Sequence, residues 1–201
     1  MASTGLFGGL RDRLRRAVAE ARGMERHEIH GFEVIVENTR PDISTTQVLG
    51  RLDESLALIE RYQPWRLAHL RRDLLRIKVA RFPCRGAYFP LERTVLTELT
   101  FLARTDIGPA TVASSIVHEG IHARVSERGV SPEHRDLARE ERLCRRAELE
   151  FGRALPPEIG APVVERAAAS LALEDAEVAP AIDWREALAR QAAVDRGELG
   201  T

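Results

Sequence analysis

The five residues His118-Glu119-Gly120-Ile121-His122 constrain this chain more than any other feature. They read H-E-x-x-H and sit in a stretch with helical character. Positions four apart stand one above the other on one helix face. Both imidazoles therefore project together and can grip a single cation. Glu119 is displaced by roughly 100° around the helix, from where it can reach a metal-bound water without taking a coordination position. Two neutral nitrogens, a nearby carboxylate and room for a further ligand and a water are what a zinc hydrolase needs. The context agrees. Pro109 stands at a first-turn position, Val112, Ile116 and Val117 form an apolar stripe, and Ala113, Ser114 and Ser115 permit close packing. Only Gly120 opposes helix formation, at about 1 kcal/mol relative to alanine. A glycine inside the motif points to crowding near a metal or substrate.

A catalytic zinc takes three protein ligands and a water. The extended pattern H-E-x-x-H-x-x-G-x-x-H is excluded, because Val125 and Arg128 occupy its glycine and third-histidine positions. The remaining donors lie downstream: His134, Asp136, Glu140, Glu141 and Glu148. Ser131 and Pro132 look like a cap and first residue of a second helix. From there Leu137, Glu141, Cys144, Glu148, Phe151 and Leu155 recur at helical steps, the inward stripe of an amphipathic helix. Two acids interrupt that apolar stripe, and a buried acid needs a compensating charge. Glu141, 19 residues past His122, is the favoured third ligand. Glu140 replaces it if the helix is rotated by one residue. Glu148 is either an alternative ligand or an acid that orients a ligand histidine through its other ring nitrogen.

His118, Glu119, His122 and a downstream helical Glu141 resemble the zincin metallopeptidases, in particular the gluzincin branch and its small bacterial members, over roughly residues 86–155. The resemblance implies zinc held by His118, His122 and Glu141, with Glu119 as general base. Cys144 and Glu148 stand where the large gluzincins carry a further acid signature, and no oxyanion-stabilising His or Tyr is assignable from the likeness. The implied fold is α+β: a predominantly helical, zincin-like single domain with a small sheet. It would comprise an N-terminal helix over 1–22, a metal-site core over 86–155 and C-terminal helices over 156–201.

Composition narrows the partners. The chain has 201 residues and a net charge of −1, so no global pull toward nucleic acid or an anionic membrane is expected. No apolar run is long enough to span a bilayer, so no stable membrane insertion is expected. Cys84 and Cys144 make no disulfide framework and fit a reducing compartment. With no signal peptide legible at the N-terminus, the expectation is a cytoplasmic protein.

Along the chain, Leu6, Leu10, Leu14, Ala17, Val18 and Ala21 form an amphipathic helix flanked by arginines, able to pack on the domain, dock a partner protein or lie on a membrane surface. Phe32–Glu37 alternates as a strand. A helix starts at Ser44 or Thr45 and buries Val48, Leu49, Leu52, Leu56 and Ile59. Pro64-Trp65 ends it, and a short helix follows to Leu70. Leu74–Ala80, Ala87–Phe89 and Thr94–Phe101 read as strands, with 86–90 as an edge that could pair with extended substrate. Pro156-Pro157 and Gly160-Ala161-Pro162 read as breaks, Val163–Leu173 as helix, Glu174–Pro180 as an exposed link, and Asp183–Ala193 as a last helix anchored by Trp184 and Leu188. Tyr88 is a candidate oxyanion donor, although a half-buried strand aromatic is the commoner role. Arg124 is a candidate substrate contact, although an ordinary salt bridge is the commoner role.

The function expected from these readings is a zinc-dependent hydrolase of peptide or amide bonds acting on a peptide or protein, with a zinc-bound water as nucleophile. The alternative is a non-catalytic binding or regulatory module with a structural metal. Two histidines and a carboxylate also describe non-haem iron centres, but those usually sit on β-barrels rather than on a helix.

Overall fold

The computed structural model describes residues 23–129, 136–180 and 182–196. The N-terminal stretch 1–22 and the expected helix start at Ser131, Pro132 and His134 lie outside the described residues.

Strands β1 (Met24–Ile29) and β2 (Phe32–Glu37) form an antiparallel hairpin. His30 and Gly31 turn it, both at positive φ (48° and 78°), as a two-residue hairpin with right-handed strand twist requires. β1 was not expected from its sequence, because its residues are polar on both faces and little buried. From β2 the chain crosses over through α1 (Thr45–Tyr62) and α2 (Pro64–Asp73) to β3 (Arg76–Ala80), which lies parallel to β2. Ser44 caps α1 by accepting from the Gln47 N–H, and Pro64 opens α2 where its missing N–H costs nothing.

β4 (Gly86–Phe89) and β5 (Thr94–Glu98) complete a five-stranded sheet in the order β1-β2-β3-β5-β4. β5 is parallel to β3, whereas β4 is antiparallel to β5 and forms the sheet edge. The strand expected over Thr94–Phe101 ends at Glu98. The Glu98 carboxylate accepts the Phe101 N–H at 2.7 Å and pairs with Arg81, turning the chain into the short helix α3 (Leu99–Ala103). Phe32, Val34, Val36, Ile77, Val79 and Val95 alternate onto one sheet face. They meet Val48, Leu52, Leu56 and Ile59 of α1 and Val112 and Ile116 of α4 (Pro109–Glu127), the motif helix. Each such side chain contributes about 1.5–3 kcal/mol by leaving water.

α5 (Leu137–Ala154) starts later than expected, with Asp136 rather than Ser131 as its cap. Leu137 is consequently exposed at the helix start instead of opening the inward stripe. α6 (Pro157–Leu171) begins well before Val163. Pro156 flanks it, Pro157 takes the first position, and Pro162 is carried inside the helix rather than breaking it. The expected break at Gly160 is instead a close crossing: a Cβ there would overlap the Gly152 carbonyl of α5. The stretch expected as an exposed link contains the short helix α7 (Asp175–Val178), and Val178 is buried. α8 (Trp184–Asp195) buries no residue, so Leu188 is not an anchor. Trp184, the other expected anchor, packs against Phe82 with ring centroids 5.9 Å apart, and Asp195 pairs with Arg81 at 2.7 Å and Arg40 at 3.0 Å. No described helix is long and apolar enough to cross a membrane.

Gly120 has a packing reason other than the one expected. A Cβ there would overlap Leu70 Cδ2 of α2, so the glycine lets two helices approach in the core. Two glycines make opposite predictions. Gly160→Ala should lower stability by about 1–3 kcal/mol, because a backbone carbonyl blocks the added methyl. Gly50→Ala, at an exposed α1 position with open space around it, should raise stability by about 0.5–1 kcal/mol. Thermal unfolding of the two variants beside wild type measures both.

Candidate metal centre

The motif helix α4 packs against α5, and the site lies between them. His118 and His122 are one turn apart, with ring centroids separated by 5.0 Å and Nε2 atoms by 3.1 Å. Their other nitrogens face acids from α5. His118 Nδ1 is 2.7 Å from Glu148 Oε1, and His122 Nδ1 is 2.8 Å from Glu140 Oε1. A carboxylate can only accept, so each Nδ1 carries the proton, and in the neutral ring each Nε2 presents a lone pair. Those two lone pairs converge on the same space. Glu141 reaches it too, with Oε2 at 3.4 Å from His118 Nε2 and Oε1 at 3.2 Å from His122 Nε2.

These separations suit a metal. Two donors each about 2.1 Å from one ion at a tetrahedral angle stand roughly 3.4 Å apart. The His118, His122 and Cys144 donor atoms also form a buried group, all within 4.8 Å of one another, that could hold an ion. Glu141 and Cys144 thus both stand near the histidine pair. Glu141 approaches both Nε2 atoms, and the Cys144 sulfur lies 3.6 Å from His122 Nε2.

Charge explains why the site needs a cation or protons. Burial opposes the charged form of His118, but the Glu141 and Glu148 carboxylates outweigh it and raise its pKa to about 10. His122 is likewise raised against burial, by Cys144 and then Glu140 and Glu141. Burial would raise both acids, yet the histidines hold Glu141 well below the usual range, and His118 with Arg145 and Arg166 holds Glu148 at about 2. Glu148 is only 1% exposed and is fully engaged. It accepts from Ser114 Oγ at 3.0 Å, from Arg145 at 2.7 Å and from Arg166 at 3.0 Å.

Glu119 lies outside this bonded set, at the floor of a cleft of about 700 Å³. Burial is the main cause that pushes its pKa up. β4 forms one wall, where Gly86 makes room: a Cβ there would lie 3.0 Å from Glu119 Oε1 and 3.2 Å from Ser115 Oγ. Arg166, Val178 and Trp184 also line the cleft.

The structure therefore gathers His118, Glu119, His122, Glu140, Glu141 and Glu148 in one place. Tyr88 lines the same cleft, but its hydroxyl is buried beside Ser126 without a hydrogen bond of normal geometry, and burial raises its pKa. Arg124 faces α2, with Nη1 3.8 Å from Asp73 Oδ2, and does not line the cleft. Arg145 and Arg166 were not singled out from sequence, and Ser114 and Gly86 entered there only as a small packing residue and the start of an edge strand. Their roles depend on which helix or strand comes alongside, and no local pattern carries that. No family model matches the chain, and no curated protein or solved structure matches it either.

Glu148→Gln removes the charge that fixes the His118 ring while leaving the ligand nitrogen in place. It should weaken binding of any divalent ion held there about 10–100-fold. Competition against a chromogenic chelator measures it.

Proposed function

We propose that this chain is a zinc-dependent hydrolase of peptide or amide bonds. The observation that carries the reading is the convergence of His118 Nε2, His122 Nε2 and the Glu141 carboxylate at the floor of a cleft, beside a buried Glu119 that is engaged by none of them. The donor set suits zinc, which takes histidine nitrogens and carboxylate oxygen in catalytic sites. Bound there, zinc supplies Lewis acidity, polarising a substrate carbonyl and making water acidic near neutral pH.

The protein residues do the rest. Glu148 and Glu140 hold the two imidazoles in one tautomer and orientation, so both Nε2 lone pairs stay aimed at the same point. Glu119, its pKa raised by burial, accepts a proton from the attacking water and returns it to the leaving amine. Among the described residues β4 is an edge strand along the cleft, and an extended peptide can add to it by backbone hydrogen bonds. Gly86 keeps that edge close to Glu119, which brings the scissile bond near the base.

Glu119→Gln should retain one zinc per chain and lower turnover about 10²–10⁴-fold in a fluorogenic peptide library. Metal content by elemental mass spectrometry and initial rates decide it. Zinc in both proteins with hydrolysis in neither would leave a metal-holding module without turnover. Gly86→Ala adds a methyl against the Glu119 carboxylate and should cut turnover at least tenfold while zinc content stays unchanged.

A further inference from the structure

Cys144 has a place in this centre that the zincin resemblance does not provide. It stands on α5 three residues after Glu141 and four before Glu148, on the helix face that meets His118 and His122. Its sulfur lies 3.6 Å from His122 Nε2. That nitrogen is the ligand nitrogen, because Glu140 already holds Nδ1 of the same ring. A sulfur about 2.3 Å and a nitrogen about 2.1 Å from one ion, at a tetrahedral angle, stand roughly 3.6 Å apart. Cys144 is also completely buried, and unlike His118, His122 and Glu141 it does not line the cleft.

We propose that Cys144 is a direct ligand of the ion, bound from the core side, so that the centre consists of two nitrogens, the Glu141 oxygen and one sulfur. The inference rests on the reading that His118 and His122 hold a metal, and it changes what kind. As the sulfur–metal bond forms, the thiol proton leaves to solvent. A thiolate in the set selects zinc or cobalt over magnesium or manganese, which prefer oxygen. Four protein donors fill a tetrahedral set, so water or substrate would join the ion only as a fifth ligand, from the cleft that His118, His122 and Glu141 line.

The test uses the full chain with cobalt(II) as the probe. Wild type should show the near-ultraviolet thiolate-to-cobalt charge-transfer band together with visible ligand-field bands. Cys144→Ser should lose the charge-transfer band, keep bound cobalt, and bind zinc at least tenfold more weakly. Cys84→Ser, which alters the other described cysteine, should keep the band. Circular dichroism of the metal-free variants confirms that they fold, and Cys144→Ala provides a second route if the serine variant does not. Ligand-field bands without a charge-transfer band in wild type would overturn the sulfur ligand and leave the hydrolase reading standing. A band abolished by Cys84→Ser but retained in Cys144→Ser would also overturn it. Failure to bind either cobalt or zinc would overturn both readings.

Discussion

Two carboxylate–imidazole contacts between α4 and α5 govern the rest of this structure. Glu148 meets His118, and Glu140 meets His122, each below 3 Å. A buried acid such as Glu148 is costly unless it is paired and hydrogen-bonded. Here His118, Ser114, Arg145 and Arg166 surround it, so burial at 1% exposure is offset on every side. The pairing sets the register of α5 against α4. Once Glu140 and Glu148 are placed, helical geometry leaves Glu141 and Cys144 beside the Nε2 atoms.

The sheet supplies the second constraint. The right-hand end of the strand order places β4 at an edge and antiparallel to β5, next to the motif helix. Gly86 then lets strand and helix approach until the Glu119 carboxylate lies against the strand. The cleft follows from this approach, and residues more than 40 positions downstream of the motif, among them Arg166 and Trp184, also line it. Glu119, the imidazoles with their facing acids, and the edge strand thus share one space although three separate elements, α4, α5 and β4, provide them.

Much of the local architecture was legible beforehand. Ser44 as a cap, the buried stripe of α1 and the proline-opened α4 follow from capping and periodicity. Misreadings occurred where tertiary contacts overrode local signals. Polar β1 becomes a strand because β2 pairs with it. Glu98 ends β5 early because Arg81 and the Phe101 N–H claim its carboxylate. Gly160 marks a helix crossing rather than a break, and Gly120 answers to Leu70 rather than to a metal.

The motif spacing alone already put two imidazoles on one helix face with Glu119 set aside from them, since a repeat of 3.6 residues leaves no other arrangement. Periodicity also assigned Glu141 and Glu148 to an inward face, though not Glu140, which is buried as well. Which of those acids meets Nδ1, which meets Nε2, and that a sulfur stands beside the same nitrogen were decided only by how α5 docks on α4. A rotation of one residue exchanges Glu140 and Glu141, and rotation about a helix axis is set by packing against the neighbouring helices, here α4 through the two acid–imidazole contacts and α6 at the Gly152–Gly160 crossing.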